Sequence, residues 1–247
     1  MIGLRRINFD ERATAIEHLD ELRSRLIAAG AVLALAFGFA FWQNHLILAV
    51  ANAPLPDGRE PITFGVTEPF MTTVKLCGYA GFVLALPALI YLAAGFVLPA
   101  LAPAERRAIV PFVVAAPALF IAGVVFSYFV VVPAAAKFLL HFNEGQFNIQ
   151  VRASEYYGFL GTTVLALGLI FELPLAILAM TRLGVVSPES LARNRRYAVL
   201  ACAVVAMLLP GTDPVTMLIC MAPLLILFEL SVQLARLTSP PSSAQPV

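Results

Sequence analysis

From Leu26 to Leu234 the chain is built of long apolar runs separated by short polar connections, and that pattern leaves few folds open. An α-helix rises about 1.5 Å per residue, so a hydrocarbon core of about 30 Å takes roughly 20 apolar residues. In lipid, only helices and closed barrels satisfy every backbone N–H and C=O. Runs of this length without two-residue alternation are helices. Six spans are expected: Leu26–Leu48, Thr72–Leu98, Ala108–Val132, Tyr157–Thr181, Tyr197–Leu209 and Pro214–Leu234. The fifth reaches only about 20 Å. The last hairpin therefore needs a locally thinned bilayer or neighbours that shield its ends.

Composition agrees with an all-α polytopic membrane protein. Apolar residues make up 60% of the 247 and charged residues 13%, too little charge to cover a soluble domain of this size. Mean hydropathy is +0.88. A net charge of +1 supplies no basic field for nucleic acid. Cys77, Cys202 and Cys220 each sit in an apolar run without metal-ligand spacing, as small packing residues do. The polar first two dozen residues do not resemble a cleaved leader.

Twelve of the sixteen Lys and Arg residues fall in the amino-terminal segment, the second and fourth connections and the end of the chain. The positive-inside rule then places both termini in the cytoplasm, as an even number of spans requires. The expected organisation is a cytoplasmic amphipathic segment over 1–25, a membrane domain over 26–234 and a short disordered tail over 235–247. The proline-rich outer connections, about 49–71 and 133–156, are expected to form ordered caps. No internal repeat is visible, which counts against the usual architecture of a secondary transporter.

Glu172, in "LGLIFELPLAIL", is the most telling single residue. An ionised group at mid-membrane costs about 3 to 10 kcal/mol on different scales, and such groups usually face a bundle interior or a hydrated cavity. The bland account is a neutral carboxyl bonded to an adjacent helix. Pro174 frees backbone carbonyls one turn earlier and predicts a bend there. In "IEHLDELRSRL" (16–26), Ile16, Leu19, Leu22 and Leu26 form an apolar stripe, while Glu21 and Arg25 stand four residues apart in the favourable order. In "LAPAERRA" (101–108), Pro103 opens a helix and Glu105 suits its first turn. The topology puts Glu21 and Glu105 on one side, where two carboxylates would suit paired guanidinium groups. Asp213, in "GTDP", fits turn or cap chemistry. His18, His45 and His141 form no catalytic constellation, so no enzyme and no cofactor are expected.

Together "HLDELRSRL" (18–26), "TEPF" (67–70), "FVLPAL" with "PAERR" (96–107), "YFVVVPAAAKF" (128–138), "FELP" (171–174), "SPE" (187–189) and "LLPGTDP" (208–214) resemble the TatC family, the multispanning receptor subunits of the twin-arginine protein translocase. The resemblance runs from about His18 to Arg236. It implies six helices in a concave, glove-like bundle, cytoplasmic termini and residence in the bacterial inner membrane. It implies that Glu21 and Glu105 take the two arginines of a twin-arginine signal peptide, with His18, Arg23, Arg107 and Phe96 as neighbours. Glu172 and Pro174 would line the cavity, with Asp213 between the last helices and Pro54 in the first outer loop. The implied partners are folded cargo bearing such signals, single-span TatA/TatB-type subunits, further copies in a receptor complex, and lipid. One departure stands out: the family's polar cluster for partner docking often includes a Thr and a Gln where this chain has Pro210 and Met217. The competing class is a proton-coupled small-solute transporter using Glu172.

Overall fold

The computed structural model describes residues 15–142, 144–147, 149–208 and 214–238. Among them the secondary structure is helical, with one isolated β-bridge. Helix α1 (Ala15–Trp42) is interrupted at Gln43 and followed by α2 (Asn44–Asn52). Helix α3 (Glu68–Val97) returns antiparallel to α1, and a 3-10 turn over Leu98–Ala100 leads into α4 (Pro103–Phe126). After α5 (Val132–His141) come α6 (Ala153–Ile170), α7 (Leu173–Arg182), α8 (Pro188–Arg193), α9 (Arg195–Leu208) and α10 (Pro214–Thr238).

Five stretches are long and apolar enough to cross a membrane: His18–Trp42, Glu68–Ala100, Pro103–His141, Ala153–Arg182 and Pro214–Arg236. The expected fifth crossing corresponds to α9, whose 14 residues extend only about 21 Å. The third stretch runs past its expected end at Val132 and takes in the start of the expected outer connection. Pro133 is the cause of its irregularity. Proline has no N–H to offer the turn before it, and the backbone widens to a π segment over Ser127–Val131, where the Val132 N–H bonds the Ser127 carbonyl. Good helix formers in "AAAKFLLH" then carry the helix to His141.

Close backbone approach at glycine holds the bundle. A Cβ at Gly81 of α3 would lie 2.9 Å from Phe37 Cα of α1, so the two helices touch along their main chains. A Cβ at Gly123 of α4 would lie 3.0 Å from Gly168 Cα of α6. Water gives helices in lipid little reason to associate, and small residues that admit dispersion contact do so instead. Two apolar clusters result. One joins α2, α3, α5 and α6 through Ala51, Leu76, Val132, Tyr156 and Leu160. The other joins the π segment, α6, α9 and α10 through Val131, Leu167, Ala206, Cys220 and Leu224. Leu26, Leu35, Val114 and Ile226 stay exposed on the flanks that a bilayer would cover.

At the end away from the arginine-rich segments, the two long connections are ordered and interlocked. Ile62 pairs with Arg152: its N–H bonds the Val151 carbonyl at 2.8 Å, and its carbonyl accepts the Ala153 N–H at 2.9 Å. Arg59 pairs with Glu144, and Arg152 Nε donates to Glu68 Oε1 at 2.8 Å. The last carbonyls of α2 take partners from distant segments in addition to the Ala53 N–H that caps Ala49 and Val50. Tyr128 bonds the Val50 carbonyl and Tyr156 the Ala51 carbonyl, while Tyr157 bonds Asn52 Oδ1. Pro54 follows directly, beside buried Leu55.

Candidate functional site

The seam between α1 and α3 gathers several predicted residues. Because the helices run antiparallel, the first turns of α1 lie against the last turns of α3. Glu21 sits there at 17% exposure and accepts Arg25 Nε at 3.0 Å and Nη2 at 2.5 Å, both on Oε1. Arg25 Nη1 reaches across to the Leu92 carbonyl at 3.0 Å. The guanidinium lies over Gly95, where a Cβ would fall 2.0 Å from Nη1. Glu21 Oε2 faces His18, whose Nδ1 is 4.0 Å away. The His18 ring stacks on Phe96 with centroids 4.3 Å apart and planes 18° from parallel. A mostly covered carboxylate is thus fixed between a cation and an aromatic pair, with one oxygen held by Arg25.

Glu105 stands at the same end, in the first turn of α4. Its Oε2 accepts the Ala102 N–H at 2.9 Å and so satisfies one of the donors left free where a helix begins. Glu105 is exposed, and among the described residues no hydrogen bond or ion pair joins it to Glu21. Arg23 and Arg107 are exposed too. Each lies two residues from its glutamate, about 200° around the helix, so neither shares that carboxylate's face. The structure therefore brings together Glu21, His18 and Phe96, and leaves Glu105, Arg23 and Arg107 at the same end, among the described residues without a hydrogen bond or ion pair to them.

Glu172 sits where the fourth crossing breaks. Helix α6 ends at Ile170, α7 opens at Leu173, and buried Pro174 occupies the first turn of α7. The break is the expected bend. The Glu172 side chain is partly covered, and its Oε1 is buried without a hydrogen-bond partner among the described residues. Beside it runs an apolar groove of about 450 Å³ lined by Phe126, Val130, Phe171, Ile219, Pro223 and Ile226. The groove wall comes from Phe171, and Glu172 is not part of its lining. Met217 packs against the second apolar cluster. Asp213 and Pro210 lie outside the described residues.

Gly95, and the seating of Arg25 across it, are what the sequence did not single out. The Glu21–Arg25 pair was visible as an ordinary helix-surface contact. Its anchoring on Leu92 was not, because that contact spans 67 residues. The available signal was Gly95, a glycine two residues from the end of α3. Among the described residues, no group of three His, Cys, Asp or Glu side chains gathers as a metal site. What the seam can do chemically is hold a planar cation against a carboxylate and an aromatic face.

Comparison with known proteins is extensive. The family described as Sec-independent protein translocase protein (TatC) matches residues 17–223. The Sec-independent protein translocase protein TatC of Desulforapulum autotrophicum is 36% identical over 231 residues, covering 92% of this chain and 86% of that protein. The TatC protein of Escherichia coli K12 is 33% identical over 234 residues, covering 93% of this chain and 91% of its own. A crystal structure of a twin arginine translocase receptor, TatC, superposes with a TM-score of 0.78 at 33% identity, covering 90% of this chain and 99% of that one. With matching order of motifs, fold and nearly full coverage on both sides, this chain belongs to the TatC family of Sec-independent protein translocase proteins.

Proposed function

We propose that this TatC-family translocase subunit is the receptor for twin-arginine signal peptides, and that it takes them at the end of the bundle carrying Glu21 and Glu105. That end faces the cytoplasm, both termini lie there, and the membrane is the bacterial inner membrane. Glu21 receives one guanidinium beside the His18–Phe96 stack. Glu105, in the first turn of α4, receives the other, with Arg23 and Arg107 at the rim. The subunit assembles with single-span TatA/TatB-type partners and with further copies of itself. Glu172, Pro174 and Asp213 serve contact with those partners, and Pro54 helps to order the outer cap.

The observation that carries this reading is the Glu21 carboxylate: mostly covered, flanked by stacked rings and already holding a guanidinium group. A charge-assisted hydrogen bond contributes about 1.5–3 kcal/mol, so losing one carboxylate should weaken binding roughly ten- to a hundredfold. The test is photo-crosslinking of an Arg-Arg signal peptide to the protein in nanodiscs. Glu21→Ala and Glu105→Ala are each expected to reduce adduct formation, and a Lys-Lys peptide should bind poorly to the unaltered protein. Undiminished crosslinking in both variants would reject the site.

A further inference from the structure

The Glu21 seat already contains the chemistry proposed for its ligand. Arg25 places two N–H donors on Glu21 Oε1 and a third on the Leu92 carbonyl, at 3.0, 2.5 and 3.0 Å. The seat is shaped for it. The three nearest atoms to a Cβ built at Gly95 all belong to the Arg25 guanidinium, the nearest at 2.0 Å, so only glycine at 95 lets that group lie down. Arg25 keeps 27% of its side chain exposed, and its stem can rotate outward. With Arg25 docked, Glu21 offers a newcomer only Oε2, the oxygen that faces His18.

Resting on the receptor reading above, the geometry points to Arg25 as a built-in competitor: it occupies Glu21 when no signal peptide is bound, and the peptide's arginine exchanges with it. Exchange replaces one guanidinium by another, so the hydrogen bonds to the carboxylate are conserved. The charge of Glu21 stays compensated throughout, whereas a mostly covered carboxylate without a cation is costly. The consequence is affinity held below what the seat could give, and with it ready release of the peptide. A role in which Arg25 merely orients Glu21 predicts the opposite sign, because loss of orientation weakens binding.

The sign is measurable. The full-length protein in nanodiscs is titrated with a fluorescent Arg-Arg signal peptide and followed by anisotropy. Arg25→Lys keeps the positive charge and leaves the space over Gly95 open, but gives up the forked hold on Glu21 Oε1. Arg25→Gln removes the competitor itself. Both variants should bind the peptide tighter, on the order of three- to tenfold, as expected for displacing a pair of this exposure with one added carbonyl bond. Adding Glu21→Gln to either should abolish the gain. Damage to folding cannot imitate a gain in affinity. Equal or weaker binding by both variants, while Glu21→Gln weakens the unaltered protein, would overturn the exchange and leave the receptor site standing. Glu21→Gln without effect on the unaltered protein would overturn the receptor site and the exchange with it.

Discussion

Gly81→Ala is the sharpest probe of how the bundle is held. A Cβ at position 81 would meet Phe37 Cα at 2.9 Å, Phe37 N at 3.0 Å and the Ala36 carbonyl carbon at 3.3 Å. All three are main-chain atoms of α1, so no side-chain rotation relieves the contact. Ordinary Cβ contacts begin near 3.4 Å, and α1 must therefore move off α3 by about half an ångström, with loss of dispersion contact along the seam. Overpacking of this kind costs about 1–3 kcal/mol, and replacing a helical glycine by alanine returns up to about 1 kcal/mol. The net expectation is about 1–2 kcal/mol of destabilisation, or roughly 2–8 °C in melting temperature for a chain of this size. Gly78→Ala is the matched control, since a Cβ there meets nothing within 4 Å and only the propensity gain remains. Cys77 is fully buried and sits next to both positions, so its reaction with a thiol-sensitive fluorophore during heating reports loss of the α3 packing. Gly81→Ala melting at or above Gly78→Ala would refute the close-contact account of the α1–α3 seam.

Two further outcomes are expected. Tyr156→Phe leaves the Ala51 carbonyl at the end of α2 without its donor, in a buried position, and should cost about 1–2 kcal/mol in the same thermal assay; Tyr128→Phe, whose bond is exposed, should cost less. Glu172→Ala should impair export in cells and leave Arg-Arg peptide binding in nanodiscs within about twofold, because Glu172 stands at the α6–α7 break rather than at the α1–α3 seam. Normal export by that variant would remove any translocation role for the carboxylate.

Much of this architecture was legible in the chain because lipid is a demanding solvent. Apolar runs had to be helices, so α3, α4, α6 and α10 lie where length and hydropathy put them. Glu105 in the first turn of α4 and the Glu21–Arg25 pair follow from helix geometry over three or four residues. Pro174 marked the break at Phe171–Glu172. Other features depend on contacts between distant segments, and no local rule reaches them. The interruption at Gln43 divides what reads as a single first span, and α2 owes its last-turn partners to tyrosines about 80 to 105 residues away. The Ile62–Arg152 bridge joins two connections whose register nothing in either one specifies. Pro133 was visible, but its effect, a π segment before a further helix, depends on how neighbouring helices pack. At the site, helix spacing picked out Glu21 with Arg25, and the family resemblance named His18 and Phe96. Their assembly, and the seating of Arg25 over Gly95, needed the α1–α3 crossing.

The central claim is that a guanidinium pair is read at the arginine-rich end of the bundle. Its most direct test is mass-spectrometric mapping of adducts from a signal peptide with a photoreactive group beside its Arg-Arg pair, bound to the full-length protein in nanodiscs. Adducts are predicted within residues 18–25 of α1, 92–96 of α3 and 103–107 of α4. Adducts concentrated instead on the interlocked cap, residues 56–68 and 144–152, or along the α10 groove would contradict the account.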